Sequence, residues 1–421
     1  MRKKPELLIP AGSLEVLKIA VRYGADAVYI GGDAYGLRAK ARNFSPEDMR
    51  EGIAFAHAHG VKVHVTVNIM AHNEDIPGIR TYLAELAEMK PDALIIADPG
   101  VFVMAREICP KIDLHISTQA SSTNFESFAF WHRMGAARVV AARELSLREI
   151  KEIRAHVPDS LEIEAFVHGA MCISYSGRCL LSNYFTGRDG NRGACTHPCR
   201  WKYAVVEETR PGEYLPVYEN ERGTYIFNSK DLCMVAHIPE LIDAGIDSFK
   251  VEGRMKTGLY VATTARTYRH AIDDYMDSPA LYEKNKDWYS RQVSNGIYRP
   301  FTTGFYFGKP GEESQIYDTS TYIKEYTYLG FAEEADREGN FKVNQKNKFS
   351  VGDEIEVMKP GGEDIPARVL RIRAEDGSLR ESAPHPRERL TVTLNVPVES
   401  FDVLRKQNTP EGMADGERGE L

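Results

Sequence analysis

No run of eighteen apolar residues occurs in the 421-residue chain, so the sequence offers no membrane-spanning helix. The basic start Met1-Arg2-Lys3-Lys4-Pro5 is followed only by Leu7-Leu8-Ile9-Pro10-Ala11, too short for the apolar region of a secretion signal. A cytosolic protein with no membrane partner is the expectation. Positive charge is in deficit: a net charge of −8 gives no overall pull toward nucleic acid, and any polyanion site must be a local patch. The phosphate-cradling loops GxGxxG and GxxxxGK(S/T) are missing, which removes the main support for dinucleotide or P-loop folds. HExxH, GxSxG, Asp-Thr/Ser-Gly and a papain-like cysteine motif are missing too, and with them the familiar routes to peptide hydrolysis.

Cysteine is scarce as well, with six in the chain. Four of them, Cys172, Cys179, Cys195 and Cys199, fall in one 28-residue window, where an even scatter would put about half a cysteine. In a reducing compartment clustered thiols indicate a metal or an iron–sulfur cluster rather than cystines. Thiolates favour zinc, copper(I) or iron–sulfur. Only the Cys195/Cys199 pair has the tight spacing of a zinc knuckle, and the irregular Cys172/Cys179 spacing suits a cluster at a domain junction. Both metals stay open on spacing. Cys109 reads as a core residue and Cys233 as a lesser alternative ligand.

At this length two or three domains are expected. Short Val/Ile-rich runs begin at Glu6, Ala27, Val61, Ala93, Leu114, Arg138, Leu161 and Ser248 and alternate with amphipathic stretches. Ser45-Pro46-Glu47-Asp48 is a helix start, and Ser146 with Glu149 a capping box. Eight βα units predict an α/β fold: a (β/α)8 TIM-like barrel over residues 1–325 with a Cys-rich insertion at 170–225. A doubly wound open sheet is the alternative. Residues 231–243 read as a helix, Gly258–Tyr275 as another, and 277–325 as a linker or small helical segment. From Tyr326 the texture turns to β, predicting a small C-terminal antiparallel β-barrel domain over 326–406, then a flexible acidic tail over 407–421.

In such barrels the active site forms at the C-terminal strand ends. The catalytic candidates there are Asn68, Asp98, His168, Glu164, Lys250 and Glu252. Candidates for substrate binding are Gln119, Asn124, Arg143, Asn228, Lys230 and Arg254. Strand alternation puts Lys250 and Glu252 on one face, suited to acid–base work or, equally, to a structural ion pair. It puts Glu164, Phe166 and His168 on one face of strand seven. Arg143 and Arg254 suit a bidentate clamp on an anion or the capping of a loop. Between Ala170 and Ala204 five basic residues, including Arg178, face a single acid, Asp189, and aromatics including Trp201 are interleaved with them. Phosphate neutralisation plus base stacking would need such a segment, and a small metal-stapled core would also use it.

Glu164-Ala165-Phe166-Val167-His168-Gly169-Ala170-Met171-Cys172, followed by Gly177-Arg178-Cys179-Leu180-Leu181-Ser182, resembles the signature of the collagenase-like peptidase family U32. Pro10-Ala11-Gly12-Ser13, Ser117-Thr118-Gln119-Ala120, Lys250-Val251-Glu252-Gly253-Arg254 and Phe349–Asp353 match the same family. Cys195-Thr196-His197-Pro198-Cys199-Arg200-Trp201 is similar to its tRNA-hydroxylating branch. The resemblance implies an enzyme that forms 5-hydroxyuridine at the tRNA wobble position, with prephenate as a small anionic co-substrate. It also implies a 4Fe–4S cluster on Cys172, Cys179, Cys195 and Cys199, with zinc as the alternative, and a paralogous partner subunit in some members. It assigns no individual catalytic residue. Two other expectations remain: a U32 peptidase, and a zinc-stapled RNA-binding protein without catalysis.

Overall fold

The computed structural model describes residues 3–36, 43–171, 179–198, 228–310, 315–316, 322–336 and 339–408. Eight parallel strands form a closed barrel: β1 Glu6–Pro10, β2 Ala27–Gly31, β3 Lys62–Val67, β4 Ala93–Ile96, β5 Asp113–Ile116, β6 Arg138–Val140, β7 Glu162–Ala170 and β8 Ser248–Val251. Closure comes from β8, which pairs with β1 (Leu8↔Lys250) and with β7 (Lys250↔Phe166). The open-sheet alternative is thereby excluded.

Helices α1 Leu14–Arg22, α2 Pro46–Ala58, α3 Ile76–Met89, α4 Pro99–Ile108, α5 Phe125–Met134 and α6 Leu147–His156 follow the first six strands. Their starts are set locally: Ser13, Ser45, Asp98, Asn124 and Ser146 each accept a backbone N–H of the first turn, and Ser146 and Glu149 complete a capping box. Beyond β7 lie the short α7 Leu181–Thr186 and α8 Ile238–Asp243, then α9 Gly258–Asp277 and α10 Pro279–Val293. The main apolar core lies between strands and helices, while inside the barrel Leu8, Ala27, Tyr29 and Ile95 form a small separate apolar cluster. Among the described residues no helix is long and apolar enough to cross a membrane.

The C-terminal strands are β9 Tyr326–Ala335, β10 Asn340–Asn344, β11 Glu354–Met358, β12 Ile365–Ala374, β13 Arg389–Leu394 and β14 Val403–Gln407. Their antiparallel pairings run β11-β14-β9-β10-β13-β12 and return to β11, a closed ring around its own apolar core. It docks on the barrel through buried polar contacts. The Tyr23 hydroxyl donates to Met358 O (2.6 Å) and accepts from Val403 N (3.1 Å), and Arg266 pairs with Asp364 (2.7 Å).

One stretch departs from the sequence reading. The helix expected over 231–243 opens instead as a strand, Asp231–Cys233, antiparallel to the end of β7, followed by a 3-10 turn at Val235–His237, and the α-helix begins only at Ile238. Pro239 suits only a first turn, so it marks the helix start. Of the two readings of 277–325, the helical one holds for α10, whose Tyr282 and Tyr289 are fully buried and stack at 5.5 Å.

Candidate active site at the barrel mouth

Three short polar side chains meet at the C-terminal ends of β3 and β5. Asn68 Nδ2 donates to Ser117 Oγ (3.2 Å) and Gln119 Oε1 (3.2 Å), and the Ser117 hydroxyl donates to Gln119. The Arg254 guanidinium enters the mouth from the segment after β8. It donates to Thr66 Oγ1 (2.7 Å) and Asn43 Oδ1 (3.1 Å) and is 5% exposed. Gly31 makes room for it, since a Cβ there would lie 2.4 Å from Arg254 Nη1. Gly31→Ala is therefore expected to push Arg254 off Thr66 and weaken anion binding about tenfold, with little change in melting temperature. Equilibrium binding of a dicarboxylate alongside calorimetry would check this.

Arg143, from the segment after β6, donates to Ala170 O (2.8 Å) and Glu252 Oε2 (3.3 Å) and lies 3.8 Å over the Phe166 ring. The expected Lys250/Glu252 partnership is therefore corrected: Glu252 turns to Arg143, while Lys250 Nζ donates to the fully buried Glu164 (2.6 Å) beneath the mouth. The strand ends at Val251, so its alternation does not carry on to Glu252, and the register shift beside it leaves Val167 of β7 as the extra residue. Arg138, not anticipated from sequence, holds the other Glu164 oxygen (2.9 Å) and also pairs with Glu6 and Glu162. Burial pushes the Glu164 carboxyl up, but Lys250 and Arg138 together hold it below the usual range.

The same irregularity moves His168. It packs against Tyr268 of α9 (Nδ1 to hydroxyl, 3.4 Å), with Tyr260 and Phe301 around it, instead of sharing a face with Glu164. Gly169 follows with φ +105°, and a Cβ there would strike Glu252 O at 2.5 Å, so this position requires glycine. Burial lowers the His168 pKa to about 3. The unfolded imidazole binds its proton near 6.5, so this residue's contribution to stability is intact above pH 6.5. It falls by about 1.4 kcal/mol per pH unit as pH drops toward the folded value. Urea unfolding from pH 7 to 4 should show that slope reduced in His168→Phe.

Asp98 and Asn124 cap α4 and α5: Asp98 Oδ1 accepts from Gly100 N (2.8 Å), and Asn124 Oδ1 from Ser127 N (3.0 Å). Lys230 lines a separate cleft of about 480 Å³ with Cys233, Phe301, Thr302, Phe307 and Lys309. The Asn228 side chain lies outside the described residues, as do Cys172, Arg178, Cys199 and Trp201. Thr66, Asn43, Gly31 and Arg138 were missed in sequence because small or distant partners carry no local signal.

The described cysteines of the cluster, Cys179 and Cys195, are free thiols of intermediate exposure flanking one turn, Gly190–Arg192. Asn191 Nδ2 donates to Cys179 O (3.2 Å), and a Cβ on Gly190 would sit 3.4 Å from Cys195 Cβ. The same turn leans on the mouth, because Met70 N donates to Asn191 O (3.2 Å) two residues beyond Asn68. Two soft, unbridged thiol donors beside the mouth fit the chemistry of an iron–sulfur or zinc centre. Cys109 and Cys233 differ: burial pushes each thiol up to about 11, which suits core residues and not nucleophiles.

A closed (β/α)8 barrel whose mouth gathers arginines, amides and a thiol-bearing segment, followed by a small β-barrel, defines a two-domain barrel protein of the enzyme-like kind. The chain belongs to peptidase family U32: the description "Peptidase family U32" matches residues 12–316 and "Peptidase family U32 C-terminal domain" residues 324–405. It is 41% identical to tRNA hydroxylation protein P1 of Bacillus subtilis (strain 168), over 96% of this chain and 95% of that one. It is 42% identical to tRNA hydroxylation protein P of Escherichia coli (strain K12), over 94% of each. A 23S rRNA 5-hydroxycytidine synthase of the same organism is 38% identical over 64% of this chain and 39% of its own.

Proposed function

We propose that this chain hydroxylates a tRNA uridine, forming 5-hydroxyuridine at the wobble position. The observation that carries the reading is the Cys179/Cys195 turn, held against the barrel mouth two residues from Asn68. Full-length similarity to proteins named for tRNA hydroxylation supports it. Cys172, Cys179, Cys195 and Cys199 would hold a 4Fe–4S cluster. When bound, that cluster would supply electron transfer or activation of the oxygen-bearing donor.

The chain's own residues bind and orient. A small dianion such as prephenate suits Arg254 and Arg143 as charge partners, with the Asn68, Ser117 and Gln119 amide and hydroxyl groups fixing its orientation. Lys250, over the Tyr29 ring at 4.7 Å, lies below as a second positive charge already engaged by Glu164. RNA contact is supported by exposed Arg188 and Phe185 in the cysteine segment, and by Phe307, 55% exposed beside Lys230 and Lys309 in the cleft. Exposed Arg368, Arg371 and Arg373 on β12 offer phosphate contacts from the second domain.

The decisive experiment deletes the gene and quantifies tRNA nucleosides by mass spectrometry, in a strain lacking paralogues. Loss of 5-hydroxyuridine, restored by the wild-type gene, is expected; unchanged 5-hydroxyuridine overturns the reading.

A further inference from the structure

The barrel's opposite end holds a second cluster that the mouth chemistry does not use. His64 of β3 and His115 of β5 are 1% and 3% exposed, and the Nδ1 atom of each is buried without a hydrogen-bond partner among the described residues. A buried, unsatisfied polar atom ordinarily costs about 1–3 kcal/mol, so two side by side call for a ligand. The two rings lie 4.8 Å apart, and ligand atoms of His64, His115 and Glu164 all fall within 4.8 Å of one another. An ion bound about 2.0–2.1 Å from two imidazole nitrogens in tetrahedral geometry sets ring centroids roughly 5 Å apart.

Charge and access agree with this geometry. A cavity of about 360 Å³ opens onto both histidines from the N-terminal end, lined also by Lys3, Lys62, Asp92, Asp113, Arg138, Asp159 and Glu162. Together with Glu6, Glu164 and Lys250 this end carries six carboxylates against four cations, the deficit that a divalent ion would neutralise. Burial keeps both imidazoles neutral, as metal ligands must be. Arg138 and Lys250 fix the Glu164 carboxylate from outside, the role that outer partners play around a ligating group.

We propose that His64, His115 and Glu164 form a binding site for a divalent transition-metal ion of the zinc type at the N-terminal end of the barrel. The site is separate from the cysteine segment and independent of the hydroxylase reading. Two measurements on the full chain test it. Crystals of the wild-type protein soaked in zinc chloride should show an anomalous peak bounded by the three side chains; a cavity holding only water there overturns the proposal. Calorimetric titration of the chelator-treated Cys179→Ser/Cys195→Ser chain with zinc should show one site per chain. That site should weaken at least about tenfold in the same chain carrying His115→Asn. Equal affinity in both chains also overturns the proposal, and an anomalous peak decides the matter if the substituted chain does not fold.

Discussion

Cys195→Ser, expressed anaerobically in cells lacking the wild-type gene, is expected to fold normally and to leave tRNA without 5-hydroxyuridine. The fold should survive because Cys195 is partly exposed and belongs to neither apolar core. Activity should not, because in the proposed cluster-holding role the Cys195 thiolate has no substitute in a serine hydroxyl, a hard and weakly acidic donor. Outer partners of a metal site alone are worth about 10–100-fold, so loss of a direct ligand should lower the hydroxylated nucleoside about a hundredfold or more. Iron content and the visible absorbance should fall in parallel. A chain that keeps full iron with Cys195→Ser would remove this residue from the ligand set. Peptidase activity surviving the substitution, with tRNA unchanged, would favour the family's older name. One zinc per chain, no colour and intact RNA binding would favour a non-catalytic binding protein.

The second large effect concerns Arg138. Its guanidinium is 2% exposed and binds Glu6 (2.5 and 3.1 Å), Glu162 (3.0 and 2.7 Å) and Glu164 (2.9 Å). Arg138→Met keeps much of the volume and leaves Glu6 without its counter-charge, while Glu164 keeps only Lys250 and Glu162 only Lys3. Breaking one side of a buried ion pair costs about 3–5 kcal/mol, and urea unfolding at pH 7.5 should show a loss of that order.

The pH dependence should change sign. In the wild type, burial pushes Glu6 up, but Arg138 brings it down to about 2. Its stabilising contribution is therefore present above pH 4.5 and lost as pH falls toward the folded value. Without Arg138, burial is opposed mainly by the Ser248 hydroxyl (2.9 Å), and the folded carboxyl binds its proton more tightly than the unfolded one. The variant's deficit should then shrink from pH 8 to pH 5 while the wild type gains nothing. A deficit independent of pH would show that packing, not charge, is what Arg138 supplies.

Much of the barrel was legible along the chain. The eight strand runs are apolar because both faces of a parallel barrel strand are covered, and Ser45, Ser146 and Pro46 act on N–H groups within one helical turn. The family signature was legible too, with Gly169 required by its backbone and by the approach of Glu252 O. Partner choice at the site was not legible. Lys250 and Glu164 are 86 positions apart and meet through the β7–β8 pairing that closes the barrel, beyond which comes a register shift that alternation cannot foresee. The same shift sends His168 to an outer helix. The polar layer of Glu6, His64, His115 and Arg138 looked like unrelated residues on four strands.

The sequence by itself determined the order of elements, the two-domain division of texture and the unusual grouping of thiols. These rest on periodicity, capping and composition, interactions that act within a few residues. Only the tertiary structure decided which charges meet, which glycine admits Arg254, and that the Cys179/Cys195 turn rests on the loop beyond Asn68. The reason is that Coulomb and hydrogen-bond energies fall off over a few ångströms, and barrel closure brings distant strands within that range.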